Sequence, residues 1–326
     1  MNAVLTIRGL SVRFRTEDGS VSAVDNVDLD VGEGEIVAIV GESGCGKSVT
    51  AMSLAGLLPP TATIEGSVLL RETELVGASE QLLRPLRGRD LAYIFQEPMT
   101  SLNPVLTVGR QIGEVLRTHS GLSRAQARER TIELLTLVRI PSPDRRINEY
   151  PHQLSGGMRQ RVMIAMAVAC DPTVLVADEP TTALDVTVQA GILGVLRDLR
   201  ERLGTSILLI THDLGVVADV ADRVVVMYAG RVVEQAPVEE LFASPRHHYT
   251  AALLEAIPTA RRDEGGRLRE IPGLVPTLAS QPDACTFADR CTAADETCRT
   301  RQPSLRGTGH ATACWHPVDP AREAVR

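Results

Sequence analysis

Lysine is almost absent from this sequence: of its 34 basic residues, 33 are arginine and one is Lys47. Arginine meets every generic need for positive charge. A single lysine therefore marks a position where a compact ammonium is wanted and a planar guanidinium does not fit. The basic residues form no run of five or six, the net charge is −7 and the pI is near 5.6. That balance excludes the electrostatic footprint of a nucleic-acid binder. Long hydrophobic runs are missing too. Val162–Cys170 and Val224–Tyr228 are among the longest, far short of the roughly 20 apolar residues that a membrane helix needs. The opening MNAVLTIRGLSVRF has no basic start, no sustained apolar stretch and no small-residue cleavage site, so no signal peptide is expected. Together these absences predict a soluble, cytoplasmic protein that meets a membrane only through a partner.

What is present suits one large or two modest domains: 326 residues, 44% of them hydrophobic, enough for a sizeable core. Short alternating strands are expected at Val4–Arg8 and Val21–Asp30, around the polar turn Glu17–Ser20. Ile36–Val40, Leu91–Phe95, Val174–Ala177 and Ser206–Ile210 are continuous apolar runs suited to buried parallel strands. Helical spacing marks Lys47–Leu58, ended by Pro59-Pro60, most of the region from about Thr107 to Arg139, then Gly156–Cys170 and Ala190–Leu203. Ser123 with Gln126 three residues later forms a possible capping box. Strands alternating with helices predict an α/β fold with a mainly parallel sheet. After about residue 240 prolines recur, apolar periodicity fades and four cysteines gather, so a separate, loop-rich extension is expected.

Gly41-Glu42-Ser43-Gly44-Cys45-Gly46-Lys47-Ser48 matches the phosphate-loop pattern in full. Its glycines let successive N–H groups turn toward phosphate oxygens, and the helix that follows aims its positive end at the same point. Lys47 is expected at the β- and γ-phosphates and the Ser48 hydroxyl on Mg²⁺. An ordinary glycine-rich turn is the competing reading, and the position between a buried strand and a helix disfavours it. Strand Val174–Ala177 runs into Asp178 and Glu179. Asp178 is expected to hold Mg²⁺ through its water shell, and Glu179 to act as general base on the attacking water. Two solvated acids at a strand end would be the plain reading of that pair in isolation.

Leu154-Ser155-Gly156-Gly157-Met158 supplies a serine hydroxyl and glycine N–H groups at a helix start, a second anion site. The segment resembles the signature of ABC ATPases, and Ser155 lies 23 residues before Asp178, as in that family. The resemblance covers about residues 3–320. It implies a P-loop NTPase of ABC type, with a RecA-like core, antiparallel β and helical subdomains, and a loop-rich C-terminal extension. It places the nucleotide-binding domain at 1–240, an inserted helical subdomain at about 97–160 and the extension at 241–326.

The same resemblance implies roles for further residues. Gln96 would sense Mg²⁺ and the transmembrane partner, and Val49 would follow Ser48 at the nucleotide. Ala183-Leu184-Asp185 would cross a dimer interface, and His212 would contact the γ-phosphate. Phe14 would stack on adenine, although an aromatic in an edge strand is often only packing. Ser155, Gly156, Gly157 and Asp185 would serve ATP held by the opposite protomer, so that two ATPs are sandwiched head to tail. Gln96 to Pro104 resembles the peptide and nickel importer branch. So does the tail, through Ile271-Pro272-Gly273, Cys285-Thr286-Phe287, Arg290-Cys291 and Cys298.

Cys285, Cys291, Cys298 and Cys314 are spaced C-x5-C-x6-C-x15-C. In a reducing compartment such a group points to metal rather than disulfides. Some members of the branch carry a [4Fe–4S] cluster there, and four cysteines suit one. Structural Zn²⁺ is the alternative, although the usual C-x2-C knuckles are missing. His310 and His316 are lower-ranked substitute ligands. Cys45, inside the phosphate loop, is expected to block ATP binding when alkylated.

The expected function is ATP hydrolysis that energises peptide import from the cytoplasmic face of the inner membrane. The partners implied are a related second ATPase, two permeases, gripped through a groove near Gln96–Val108, and a substrate-binding protein. Nickel complexes or another small solute remain compatible, and a non-transport soluble ABC ATPase or a catalytically silent module are the rival classes.

Overall fold

The structure is a computed structural model describing residues 2–17, 19–95, 101–182, 184–257 and 271–318. In chain order its strands are β1 (Ala3–Thr16), β2 (Gly19–Gly32), β3 (Ile36–Val40), β4 (Ala62–Leu70), β5 (Thr73–Glu74), β6 (Leu91–Ile94), β7 (Val174–Asp178), β8 (Ser206–Ile210), β9 (Arg223–Tyr228), β10 (Arg231–Pro237) and β11 (Ala311–Thr312). Its helices are α1 (Lys47–Leu54), α2 (Glu80–Leu86), α3 (Val108–Ser120), α4 (Arg124–Leu137), α5 (Pro143–Arg146), α6 (Gly156–Ala167), α7 (Val186–Leu203), α8 (Leu214–Val220), α9 (Val238–Ala243), α10 (His248–Glu255) and α11 (Glu296–Thr300). None of the described helices is long and apolar enough to cross a membrane.

The chain divides into two compact units. The first comprises Met1–Leu5, Val31–Ile36 and Ala78–Leu209. Its strand order is β8-β7-β6, with β6 and β7 parallel from Leu91↔Val174 to Ile94↔Ala177. Every residue of β7 and β8 is buried, which is why their sequences read as unbroken apolar runs. The helices α3, α4 and α6 belong to the same unit. Ser123 caps α4 as the sequence predicts: its hydroxyl accepts from Gln126 N–H, and the Gln126 side chain accepts from Ser123 N–H at 3.0 Å.

The second unit comprises Thr6–Asp30, Val37–Gly77 and Ile210–Arg326. It holds a four-stranded sheet of order β2-β1-β4-β5 and strands of order β11-β10-β9-β3. β3 pairs with β9 in parallel, Val37↔Arg223 to Val40↔Val226, while β9, β10 and β11 are antiparallel. β1 and β2 each run 14 residues, beyond the expected spans, with side chains alternating between buried and more exposed along their middle portions.

The described parts of the extension, residues 241–257 and 271–318, hold the end of α9, the helix α10, a 3₁₀ turn at Ala288–Arg290, the short helix α11 and the two-residue strand β11, the rest being loop. The extension is nonetheless tied down. β11 pairs with β10 at Glu234↔Thr312 and Gln235↔Ala311. Glu234 is fully buried. Its two oxygens accept from the backbone N–H groups of Arg246 at 2.6 Å and His247 at 2.9 Å, and His310 Nε2 lies 2.6 Å from Oε1. A buried carboxylate is tolerable only with such complete satisfaction. His310 is therefore engaged with Glu234 instead of with the cysteines.

Candidate functional site

The phosphate loop leaves the C-terminal end of β3 and enters α1, the place where parallel α/β sheets present ligand sites. Two glycines are required by space as well as by torsion. Gly41 (φ 151°) has no room for a Cβ against the Met227 carbonyl, nor has Gly46 (φ 94°) against that of Ala23. Ser43 and Gly44 are exposed, and Ser48 and Val49 are half-buried. Lys47 is 6% exposed, and its ammonium donates to the carbonyls of Gly41 at 2.8 Å and Glu42 at 2.9 Å. The one lysine of the chain thus places its charge inside the loop.

Two N–H groups of the loop are already committed: that of Glu42 donates to the Tyr249 hydroxyl at 2.8 Å and that of Cys45 to the Glu42 carbonyl at 3.3 Å. Cys45 is fully buried, with its sulfur 3.9 Å from the same hydroxyl, and burial pushes its thiol pKa up. Alkylation at Cys45 is accordingly expected to be slow, since burial suppresses both access and thiolate formation.

In the first unit, Asp178 ends β7 and is 5% exposed. It accepts a hydrogen bond from the Tyr93 hydroxyl at 2.9 Å. Burial, and then the charge of Asp178, raise the Tyr93 pKa strongly, which keeps the phenol protonated as a donor. Tyr93 is not legible as a site residue from sequence. There it is one more aromatic in a buried strand, and only the pairing of β6 with β7 brings it to the carboxylate. Glu179, next in the chain, has φ 48°. A non-glycine residue in the left-handed region costs about 1 kcal/mol or more, a strain that concentrates at functional sites. Its Oε2 accepts from the Thr182 hydroxyl at 2.7 Å.

Ser155 caps α6, its hydroxyl accepting from Met158 N–H at 3.4 Å. Ser155 and Gly156 are exposed. Gly157 faces Val188, leaving no space for a Cβ without displacing that side chain. The start of α6 is therefore an open ring of N–H groups suited to an anion from outside. Asp185 plays a local structural part, capping α7 by accepting from Val188 N–H at 2.9 Å. His212 follows β8 and is exposed, just before the Asp213 cap of α8. Phe14 is half-buried on β1. Gln96, the following residues to Thr100, and Ala183 lie outside the described residues. Beyond them, Gln111 fixes the start of α3 by accepting from Asn103 N–H at 2.8 Å and donating to the Asn103 and Leu106 carbonyls, both at 3.0 Å. A cleft of about 660 Å³ lies along α3, lined in part by Thr107, Arg110, Arg117, Arg124 and Ile147.

The four tail cysteines line one small cavity together with His247, Phe287, Trp315 and His316. Burial first, then the neighbouring thiols, raise the pKa of Cys285 and of Cys291, and push Cys314 up to about 12. A cation among them would invert that balance and favour thiolates. His247, lowered to about 3 by burial first, stays neutral, and its Nδ1 accepts from Tyr249 N–H at 3.1 Å. Of the two candidate substitute ligands, His316 is at this cavity, with Asp295 and Cys298 beside it; His310 is not.

Comparisons with known proteins agree with this geometry. The ABC transporter family profile matches residues 24–182, and the profile of the oligopeptide/dipeptide transporter C-terminal region matches residues 233–298. A probable peptide ABC transporter ATP-binding protein of Sinorhizobium fredii is 53% identical over 96% of this chain and 94% of its own. The dipeptide transport ATP-binding protein DppD of Bacillus subtilis is 48% identical over 100% of this chain and 98% of its own. Among solved structures, a dimeric ATP-binding cassette in a post-hydrolysis state, bound to ADP and phosphate, superposes with a TM-score of 0.65 at 30% identity. The match covers 72% of this chain and 98% of that one. The chain belongs to the ABC transporter family, as an ATP-binding subunit of the branch that carries the oligopeptide/dipeptide transporter C-terminal region.

Proposed function

We propose that this chain binds and hydrolyses ATP with Mg²⁺ and thereby drives import of peptides through an ABC transporter at the cytoplasmic face of the inner membrane. The observation that carries the reading is the match to both transporter regions, 24–182 and 233–298, on a chain whose phosphate loop and Asp178–Glu179 pair are intact.

Residues 41–49 cradle the phosphates, with Lys47 neutralising the β- and γ-oxygens. Ser48, Asp178 and Gln96 hold the Mg²⁺ water shell, and Tyr93 keeps Asp178 aimed through its donated hydrogen bond. Glu179 accepts a proton from the attacking water. His212 contacts the γ-phosphate, and Phe14 stacks on adenine. Ser155, Gly156, Gly157 and Asp185 act on the nucleotide of a second, related but different cassette. That reading is supported by the open start of α6 and by the dimeric state of the similar solved cassette. ATP shifts an open–closed equilibrium because only the closed dimer gains contacts to it. The division is a nucleotide-binding domain at 1–240 with a helical insertion at about 97–160, and an extension from 241 to 326. Two permeases and an extracytoplasmic substrate-binding protein complete the complex, the permeases engaging the groove near Gln96–Val108.

Reconstituted with its permeases, binding protein and partner ATPase, the chain is expected to support ATP-dependent uptake of labelled dipeptides into vesicles. Uptake of nickel complexes without uptake of any peptide would replace the substrate assignment, and ATPase activity that never co-purifies with membrane subunits would remove transport altogether.

The four cysteines are proposed to hold a metal centre that staples the extension, which has little core of its own. Their convergence on one cavity supports this. Tetrahedral Zn²⁺ with bonds of about 2.3 Å needs sulfurs about 3.8 Å apart. Among the described residues no three of the cysteine sulfurs lie within 4.8 Å of one another, whereas Asp295, Cys298 and His316 offer ligand atoms at that spacing; the [4Fe–4S] reading rests on the four-cysteine resemblance, with Zn²⁺ as its alternative. Anaerobic purification is expected to yield about four iron and four sulfide per chain. One zinc per chain would reassign the centre, and neither metal at stoichiometric level would end the metal reading.

A further inference from the structure

The second residue of the phosphate loop is the point at which the C-terminal extension reaches the nucleotide site. Arg290 lies 248 residues away in sequence and grips the Glu42 carboxylate with both arms, Nη1 to Oε2 at 2.7 Å and Nη2 to Oε1 at 3.0 Å. Its side chain is 6% exposed. Each of its five N–H donors has a partner. Beyond Glu42, Nε donates to the Pro272 carbonyl at 2.8 Å, Nη2 to Ile271 at 3.2 Å and Nη1 to the Tyr228 hydroxyl at 3.3 Å. The guanidinium also lies 5.6 Å from the Tyr228 ring centre and 5.9 Å from that of Phe287. A second hold comes from Tyr249, buried in full, whose hydroxyl takes the Glu42 N–H. Phe287 packs on Tyr249 with ring centres 5.3 Å apart.

The short segment 285–291 is internally bonded, Cys285 O to Ala288 N–H at 3.0 Å and Phe287 O to Arg290 N–H at 3.0 Å. One side of it lines the cysteine cavity and the other carries Arg290 to Glu42. Electrostatics makes this more than a tether. A carboxylate in a loop that must receive a polyphosphate repels the ligand unless its charge is matched, and inside a protein that repulsion is far less screened than in water.

We propose that Arg290 and Tyr249 are positioning residues for the phosphate loop: the cysteine-bearing extension neutralises and fixes Glu42, and ATP affinity depends on that hold. The proposal rests on the assignment of residues 41–48 to ATP.

The test is binding of a fluorescent ATP analogue with Mg²⁺ to the full-length chain. Arg290→Ala is expected to weaken binding by about tenfold or more, since it leaves an unmatched carboxylate at the ligand. Arg290→Lys is expected to recover little, because an ammonium cannot serve five directions at once. The combination Glu42→Gln with Arg290→Ala is expected to regain most of the loss, which a merely structural role for Arg290 would not produce. Folded Arg290→Ala protein that binds within about twofold of wild type, or a double variant no better than Arg290→Ala, overturns the proposal. If Arg290→Ala does not fold, Tyr249→Phe decides. It removes the acceptor of the Glu42 N–H and is expected to bind about fivefold more weakly, so unchanged affinity overturns the proposal. Wild-type protein that binds no ATP would instead refute the assignment of the loop itself.

Discussion

Glu179→Gln is expected to bind ATP normally and to release phosphate about 10²–10⁴-fold more slowly, the usual contribution of a positioned general base. The substitution isolates that contribution because it is nearly isosteric. The amide oxygen still accepts from the Thr182 hydroxyl, now at 2.7 Å from Oε2. The backbone at φ 48° is retained as well, since glutamine meets the same Cβ penalty there as glutamate. Asp178 and its Tyr93 donor are untouched, so the proposed Mg²⁺ site is expected to persist. What is lost is the carboxylate proposed to take the proton from water. Phosphate release in single turnovers, together with nucleotide retained through gel filtration, reads both halves of the expectation. Turnover within about threefold of wild type would remove Glu179 from the chemistry. Loss of ATP binding would show that its role is in assembling the site.

The residues that sequence reveals here are those whose function fixes their spacing along the chain. The loop Gly41–Ser48 is contiguous because successive N–H groups must surround one phosphate chain, and the runs at β3, β7 and β8 are legible because burial on both faces leaves no polar position. Ser123 with Gln126 is readable for the same reason: its two hydrogen bonds close within one turn. Residues whose partners are remote leave no such trace. Tyr93 reaches Asp178 across 85 positions, and Tyr249 and Arg290 reach Glu42 across 207 and 248. Glu234 carries no local mark of its role, yet in the middle of β10 it is fully buried and anchors the start of the extension. His310 and His316 look equivalent beside the cysteines in sequence, and the fold separates them, one to Glu234 and the other to the cysteine cavity. Gly41 and Gly46 stand between these cases. Their motif is visible, but the crowding that forbids a side chain comes from Met227 and Ala23, which no local pattern connects to them.

Lys47→Ala is expected to weaken ATP binding by about a hundredfold and abolish measurable hydrolysis, and Lys47→Arg is expected to restore neither. The ammonium sits in a closely built space, 6% exposed, with Gly41 and Glu42 carbonyls at 2.8 and 2.9 Å. Those two bonds hold the charge within the loop before nucleotide arrives, so binding carries little cost of ordering a long side chain. Alanine removes the charge and strands two carbonyls that face it. Arginine keeps the charge but spreads it over a planar fork, which does not match a buried point charge held by the Gly41 and Glu42 carbonyls. The failure of arginine is the sharper half of the prediction, because 33 other positions of this chain use arginine wherever a cation suffices. Titration with a fluorescent ATP analogue and a phosphate-release assay on the same preparations distinguish the two variants. An arginine variant that binds within about threefold of wild type would show that charge alone is needed at this position. An alanine variant that still hydrolyses ATP at the wild-type rate would remove the loop from the active site.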